Sequence, residues 1–229
     1  MTDIAQIVEG IVQQMDITIT GVEDPSNPGY LLFCDTKWAR KGKLIYNVGN
    51  NGYYRVVEID YDQTIYATPY QATSIYMAGT YWCPVPFFIS GTRKATNLEW
   101  TKADINVMKK TPIIWLLETI EEEHFGRGDT REFEAQLRLF FLDETNIKDY
   151  VTEDHRHEVV VPMQKLVSQF VQTINDNRSF KPIESFKMKT FSRFGVEQED
   201  GMFKNILDAN LSGVELNITL TKFKENCKC

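Results

Sequence analysis

Two stretches of strict alternation dominate the second half of this 229-residue chain. From Arg131 to Leu142, Phe133, Ala135, Leu137, Leu139 and Phe141 fall on one face. Glu132, Glu134, Gln136 and Arg138 fall on the other. Near the C-terminus, Val214, Leu216, Ile218 and Leu220 alternate with Glu215, Asn217, Thr219 and Thr221. A period of two marks strands with one buried face and one wet face. The apolar faces must be covered by something else in the chain.

Two amphipathic helices are available for that. Ile4, Ile7, Val8, Ile11, Val12 and Met15 follow helical spacing over residues 2 to 15. Thr2 suits the N-cap and Asp3 the first turn. A second stripe, Val159, Met163, Leu166, Val167, Phe170, Val171 and Ile174, ends near Asn175. If Thr152 or Asp154 caps this helix, Pro162 lies inside it and kinks it; a start near Val161 avoids the kink. Further strands are expected from Pro112 to Thr119 and from Ile183 to Phe194. In the latter, Met188 and Phe191 stand three apart, which calls for a bulge. Phe194 to Leu211, rich in Gly, Glu, Asp and Asn, reads as a long hairpin tip.

Residues 17 to 100 have a different character. Ile17 and Ile19 alternate with Thr18 and Thr20, and short strands follow at Tyr30–Cys34, Leu44–Val48, Tyr53–Tyr61 and Gln63–Thr68. Asn50-Asn51-Gly52 is a hairpin signal, because Asn and Gly tolerate positive φ. Lys41-Gly42-Lys43 is a turn, and Pro84 and Pro86 make Cys83 to Gly91 extended or an edge. Strands this short and this closely spaced suggest a small barrel or sandwich. The expected fold is therefore α+β: an antiparallel sheet with two helices on one face, built from residues 1–16 and 105–229. Residues 17–104 would form an inserted β-rich subdomain.

Composition narrows the function. Hydrophobic residues at 42% and charged residues at 25% are ordinary for a globular protein, and no apolar run approaches the length that crosses a bilayer. The N-terminal MTDIAQIVEG has no basic region followed by an apolar core, so a cytosolic chain with reduced cysteines is expected. Cys34 and Cys83 sit among strand-like residues, and Cys227 and Cys229 form a C-x-C that matches zinc spacing poorly. The formal net charge is −7, with no basic stripe to grip DNA. An acidic channel wall would instead let a duplex slide past without sticking.

No motif carries convincing chemistry. His155 and His157 read as a solvated helix start, where i and i+2 point apart. His124 follows Glu121-Glu122-Glu123, a charge run of the kind usually found on solvated faces. Arg127-Gly128-Asp129 reads as a turn between strands. Ser90-Gly91-Thr92-Arg93-Lys94 is small, polar and basic enough to touch a phosphate, but it stands alone. No phosphate-binding glycine loop, nucleophile elbow or zinc-protease helix motif is present. The expectation is a non-enzyme, with no catalytic, cofactor-binding or metal-binding residue and no cofactor. Aromatic residues, 12% of the chain, crowd positions 30 to 88. They read as core plus interface, because no basic residues interleave them as on a nucleic-acid platform.

Several segments carry a resemblance. They are Ile17-Thr18-Ile19-Thr20-Gly21 after the first helix, Cys34-Asp35-Thr36-Lys37-Trp38-Ala39-Arg40-Lys41-Gly42, and Pro86 to Asn97 (PFFISGTRKATN). Pro112 to Glu118 (PIIWLLE), Leu139 to Asp143 (LFFLD), Asp154-His155 and Val161-Pro162-Met163 complete the set. Together these resemble neck or connector proteins of tailed bacteriophages of the crAss-like type. The order helix, strand pair, helix, strand pair is similar to the tail-terminator (tail-completion) fold over residues 1–16 and 105–229. The resemblance implies a virion structural protein, made in the host bacterial cytoplasm and forming a ring at the head–tail joint. Its partners would be copies of itself and adjacent portal, neck or tail rings. Genome DNA would pass through the lumen without specific binding, and no membrane would be involved. Independently of that resemblance, the aromatic barrel leaves open a cytosolic binding module for a glycan or protein. A hydrolase built on His124 or on His155 and His157 is a third and more distant alternative.

Overall fold

The computed structural model describes residues 3–26, 30–33, 35–60, 64–70, 78–92, 110–117, 120–125, 132–145, 152–194, 196–199, 202–205 and 210–223. They form a mixed α+β structure of mostly strands, in which a closed barrel adjoins an open sheet.

Helix α1 spans Ile4–Gln13. Its N-cap is Asp3, not Thr2, and the Asp3 carboxylate accepts from Ala5 N at 3.4 Å. Ile4, Val8, Ile11 and Val12 are buried along one stripe. Six strands follow: β1 (Thr18–Glu23), β2 (Tyr30–Phe33), β3 (Leu44–Asn47), β4 (Gly52–Asp60), β5 (Thr64–Pro69) and β6 (Gly79–Trp82). They close into an antiparallel barrel in the order β1-β2-β5-β4-β3-β6, with β6 returning to β1. The Asn50-Asn51-Gly52 signal lies at the β3–β4 hairpin: Asn51 takes φ 54°, and Asn47 pairs with Gly52. Asn47 Oδ1 ties the loop by accepting from Gly49 N (2.8 Å) and Asn50 N (3.1 Å).

The open sheet contains β7 (Phe87–Gly91), β8 (Ile113–Leu117), β9 (Glu121–Phe125), β10 (Glu132–Glu144), β11 (Lys187–Phe194) and β14 (Leu211–Lys222). Its order is β11-β14-β10-β8-β7, with β9 also paired to β10. Two features depart from the sequence reading. The strand β7 lies within the 17–104 stretch yet belongs to this sheet, so the barrel strands end at Trp82. It also runs parallel to β8, which makes the sheet mixed rather than antiparallel. As expected from Pro84 and Pro86, β7 is an edge strand. The Glu121 run forms a strand whose residues are all exposed; pairing with β10 outweighs the low strand preference of glutamate.

The second helix resolves the Pro162 problem in a way that neither sequence alternative anticipated. Helical backbone starts at α2 (Thr152–His155), widens into a π turn over Arg156–Val160, and continues as α3 (Val161–Asp176). Proline has no N–H and its ring clashes with the carbonyl four residues back. One wide turn, in which Val161 N donates to Arg156 O, comes just before Pro162 and spares the helix a break.

A single large core joins both regions. It takes Val8 and Ile11 from α1, Trp38, Tyr54 and Tyr81 from the barrel, Leu166 and Phe170 from α3, and Leu139, Phe141, Val214 and Leu216 from one sheet face. The opposite face is not uniformly wet. Its Glu134 to Arg138 section is polar, but at Phe140 it becomes a second apolar cluster with Trp115, Phe194, Ile113 and Leu142. Trp115 packs edge-on to Phe194 (5.5 Å between centroids) and donates to Gly91 O at 3.2 Å.

Candidate assembly surfaces

Closing a barrel removes its edges, whereas an open sheet keeps them. Among the described residues the sheet edges are β7, β9 and β11, each with one side not paired to another described strand. Strand β11 has its register shift between Phe191 and Phe194, one step beyond the Met188–Phe191 spacing that suggested a bulge, since Met188 to Phe191 pair regularly with Leu216 to Gly213. Beyond β11 the chain forms a hairpin of β12 (Val196–Glu199) and β13 (Met202–Asn205), which pair only with each other among the described residues.

At the other end of β11 lies a groove of about 850 Å³. Its floor is the polar face of β10 and β14, including Gln136, Arg138, Asn217 and Thr219. One wall is the extended segment Lys181–Phe186, which leaves β14 after Lys181 N donates to Thr221 O and rejoins it where Lys187 pairs with Asn217. The lining mixes Glu121, Glu134 and Glu184 with Arg138, Lys181 and Lys187. Arg138 Nε donates to Glu215 Oε1 at 2.6 Å. Burial raises the Glu215 pKa, but the hydrogen bonds from Arg138 and Asn217 outweigh it and hold the carboxyl below its ordinary value.

The barrel is fastened to the rest by the segment from Thr36 to Lys43. Trp38 is buried and its Nε1 donates to Pro84 O at 2.8 Å. Thr36 Oγ1 accepts from Lys165 of α3 at 2.9 Å. Lys37 Nζ reaches Asp16 Oδ2 and the Asp16 carbonyl. Arg40 Nη1 donates to Glu144 O at 2.7 Å, and its Nε stands 3.5 Å from Asp143 Oδ2. Lys43 Nζ lies 3.1 Å from Asp143 Oδ1 and also bonds Thr111 Oγ1. Asp143 is 1% exposed, so two buried cations share one buried carboxylate. Such a cluster is costly to dismantle one partner at a time.

The barrel exterior carries an aromatic row. Trp82 of β6, Tyr46 of β3 and Tyr53 of β4 stand side by side in register. Their ring centroids are 5.3 Å (Trp82–Tyr46) and 5.1 Å (Tyr46–Tyr53) apart. Trp82 and Tyr53 are about 40% exposed, whereas Tyr54 and Tyr81, on the alternate positions, fill the barrel interior.

The histidines do not converge. His124 lies on exposed β9, 3.1 Å from Glu122. His155 ends α2 and His157 lies in the π turn. Burial lowers the His155 pKa and raises that of Glu158. Among the described residues, no group of three or more His, Cys, Asp or Glu side chains is placed to hold a metal ion. Cys83 is buried among barrel residues, and burial pushes its thiol up to about 12, so it stays protonated and unreactive. Cys34, Cys227, Cys229, Arg93, Lys94 and Arg127-Gly128-Asp129 lie outside the described residues. Among those described, no helix is long and apolar enough to cross a membrane.

Two features escaped sequence reading. The Arg40–Lys43–Asp143 cluster joins residues about a hundred positions apart, and no local pattern announces it. The aromatic row was within reach, because the Asn50-Asn51-Gly52 hairpin places Tyr46 opposite Tyr53; its extension to Trp82 needed barrel closure. Comparison with protein-family models, curated proteins and solved structures gives no match.

Proposed function

We propose that the chain is a virion structural protein that closes into a ring at the neck of a tailed phage, joining portal to tail. The observation that carries this reading is the β12–β13 hairpin. A two-stranded hairpin is marginally stable alone and gains from a surface to lie on. It extends from one end of the eight-residue strand β11, while the groove lies at the other end, about 25 Å away at the usual strand rise. An arm at one end and a receptacle at the other make a head-to-tail contact between copies, the kind that closes into rings.

The two helices packed on one sheet face support a tail-terminator-like arrangement, as do the quoted sequence segments. The bonds made by the Thr36–Lys43 segment tie the barrel to the sheet and to α3, which suits a ring that must hold its shape. With a formal charge of −7, the subunit suits a channel through which DNA slides unbound. The role is one of joining and sealing, without catalysis.

Cryo-electron microscopy of particles purified from the source lysate tests this. The expected result is this chain as a closed ring on the axis between capsid and tail, with each hairpin seated on its neighbour. Particles that lack the chain overturn the reading.

A further inference from the structure

The aromatic row on the barrel has no role in the ring contact described above. We infer that Trp82, Tyr46 and Tyr53 form a stacking platform for a neutral oligosaccharide. The inference does not depend on the assembly reading.

Three adjoining strands of a closed barrel bring the rings together, so their spacing is set by strand pairing and not by a mobile loop. The Trp82 and Tyr46 planes differ by 32°, close enough to present one continuous face, and Tyr53 tilts by 59° to Tyr46 at the far end. The C–H faces of sugar rings pack on π faces of this kind, while their hydroxyls need polar neighbours. Those neighbours are uncharged. Thr18 pairs in register with Trp82 and is exposed. At the other end, exposed Asn51 accepts from Tyr46 Oη at 2.8 Å. Leu44 and Thr80 flank the row on the same face.

Among the described residues in register with the row or two positions along its strands, the one cation is Arg55, whose guanidinium stands 4.9 Å from the centre of the Tyr70 ring. A nucleic-acid platform needs a basic track beside its aromatics to follow the phosphates. One arginine does not supply it. A neutral ligand, with flat apolar faces and hydroxyl edges, matches what is displayed. Trp and Tyr also give large contact areas at low conformational cost, which suits a preformed surface.

Isothermal titration of the full chain tests the inference, using hexasaccharides of β-1,4-glucose, β-1,4-N-acetylglucosamine, β-1,4-mannose, β-1,4-xylose and α-1,4-glucose. The expected result is saturable binding of at least one. Trp82→Ala should weaken it at least about fivefold, in line with the loss of one aromatic contact. Tyr53→Ala should weaken it less. Tyr30→Phe, elsewhere on the barrel where Tyr30 stacks on Tyr66, should leave it unchanged. Circular dichroism and melting of each variant establish that it is folded, as expected for side chains on the outer surface. No saturable response across the panel overturns the inference, and so does binding that Trp82→Ala leaves intact. A flat panel accompanied by a change in oligomeric state on Trp82→Ala also overturns it, and makes the row a protein contact.

Discussion

The barrel and the sheet solve the same problem in opposite ways. The barrel is wholly antiparallel and the sheet mostly so, and both contribute to one core. Every barrel strand has a paired neighbour on both sides, so the barrel wall meets a partner through side chains such as Trp82 and Tyr53. Among the described residues the sheet leaves β7, β9 and β11 open and adds a hairpin, so it can recruit partners through its backbone. A surface of side chains suits a chemically specific ligand, and a surface of edges suits repetition of the same chain. The two halves are thus fitted for different kinds of partner, and the Arg40–Lys43–Asp143 cluster makes them move together.

The most direct way to break that coupling is Asp143→Ala. It leaves Arg40 and Lys43 buried without their shared carboxylate, and the expected loss is about 3–5 kcal/mol in urea unfolding. Replacing Arg40, Lys43 and Asp143 together by apolar residues of similar size should cost far less, because no unpaired charge remains. If the triple variant is as damaged as the single one, packing and not charge holds the halves together.

The two regions also yield differently to one added carbon. A Cβ at Gly213 in β14 would stand 2.0 Å from the Phe141 carbonyl oxygen, a backbone atom held by β10 pairing. A Cβ at Gly21 in β1 would stand 2.7 Å from the Phe33 ring inside the barrel, and a ring can shift. Gly213→Ala should therefore cost about 3 kcal/mol and Gly21→Ala nearer 1 kcal/mol by thermal or chemical unfolding. The reverse order would mean that the barrel interior is the stiffer of the two.

The elements legible in the sequence are those fixed by local periodicity or turn chemistry. The alternation at Phe133–Phe141 and Val214–Leu220 located β10 and β14, and Asn50-Asn51-Gly52 located the β3–β4 hairpin. An irregularity is expected in β11 and is present, but it falls between Phe191 and Phe194 and not in the three-residue step from Met188 to Phe191, which pairs regularly with β14. What stayed hidden depends on distant pairing. Nothing near Phe87–Gly91 says that it lies parallel to β8, and the polar alternation of β10 gives no warning that Phe140 and Leu142 join an apolar cluster on the wet face. Composition also placed the aromatics between residues 30 and 88 in core and interface without saying which were which. Alternation along each strand separates Tyr54 and Tyr81 inside from Tyr53 and Trp82 outside.

The smallest expected effect separates two carboxylates of similar tendency. Glu215 on the sheet and Asp16 beside the barrel are both opposed by desolvation, yet both are held below their ordinary pKa by hydrogen bonds: Glu215 from Arg138 and Asn217, Asp16 from Lys37 and Thr18. A lowered pKa means that the ionised form favours the fold. The contribution of Glu215 is present above its ordinary value of 4.5 and fades as pH falls below that value through the lower folded one. Glu215→Gln should therefore flatten the acid side of the melting-temperature profile between pH 5 and pH 3. The size should stay under about 1 kcal/mol, since the Arg138 side chain is 47% exposed and solvent screens the pair. Asp16, with a side chain 61% exposed, should matter less, so Asp16→Asn should leave the profile closer to wild type. A larger effect at Asp16 would move the acid-sensitive point from the sheet face to the junction of α1, the barrel and the Lys37 segment. The coupling between the two halves would then loosen before the sheet does.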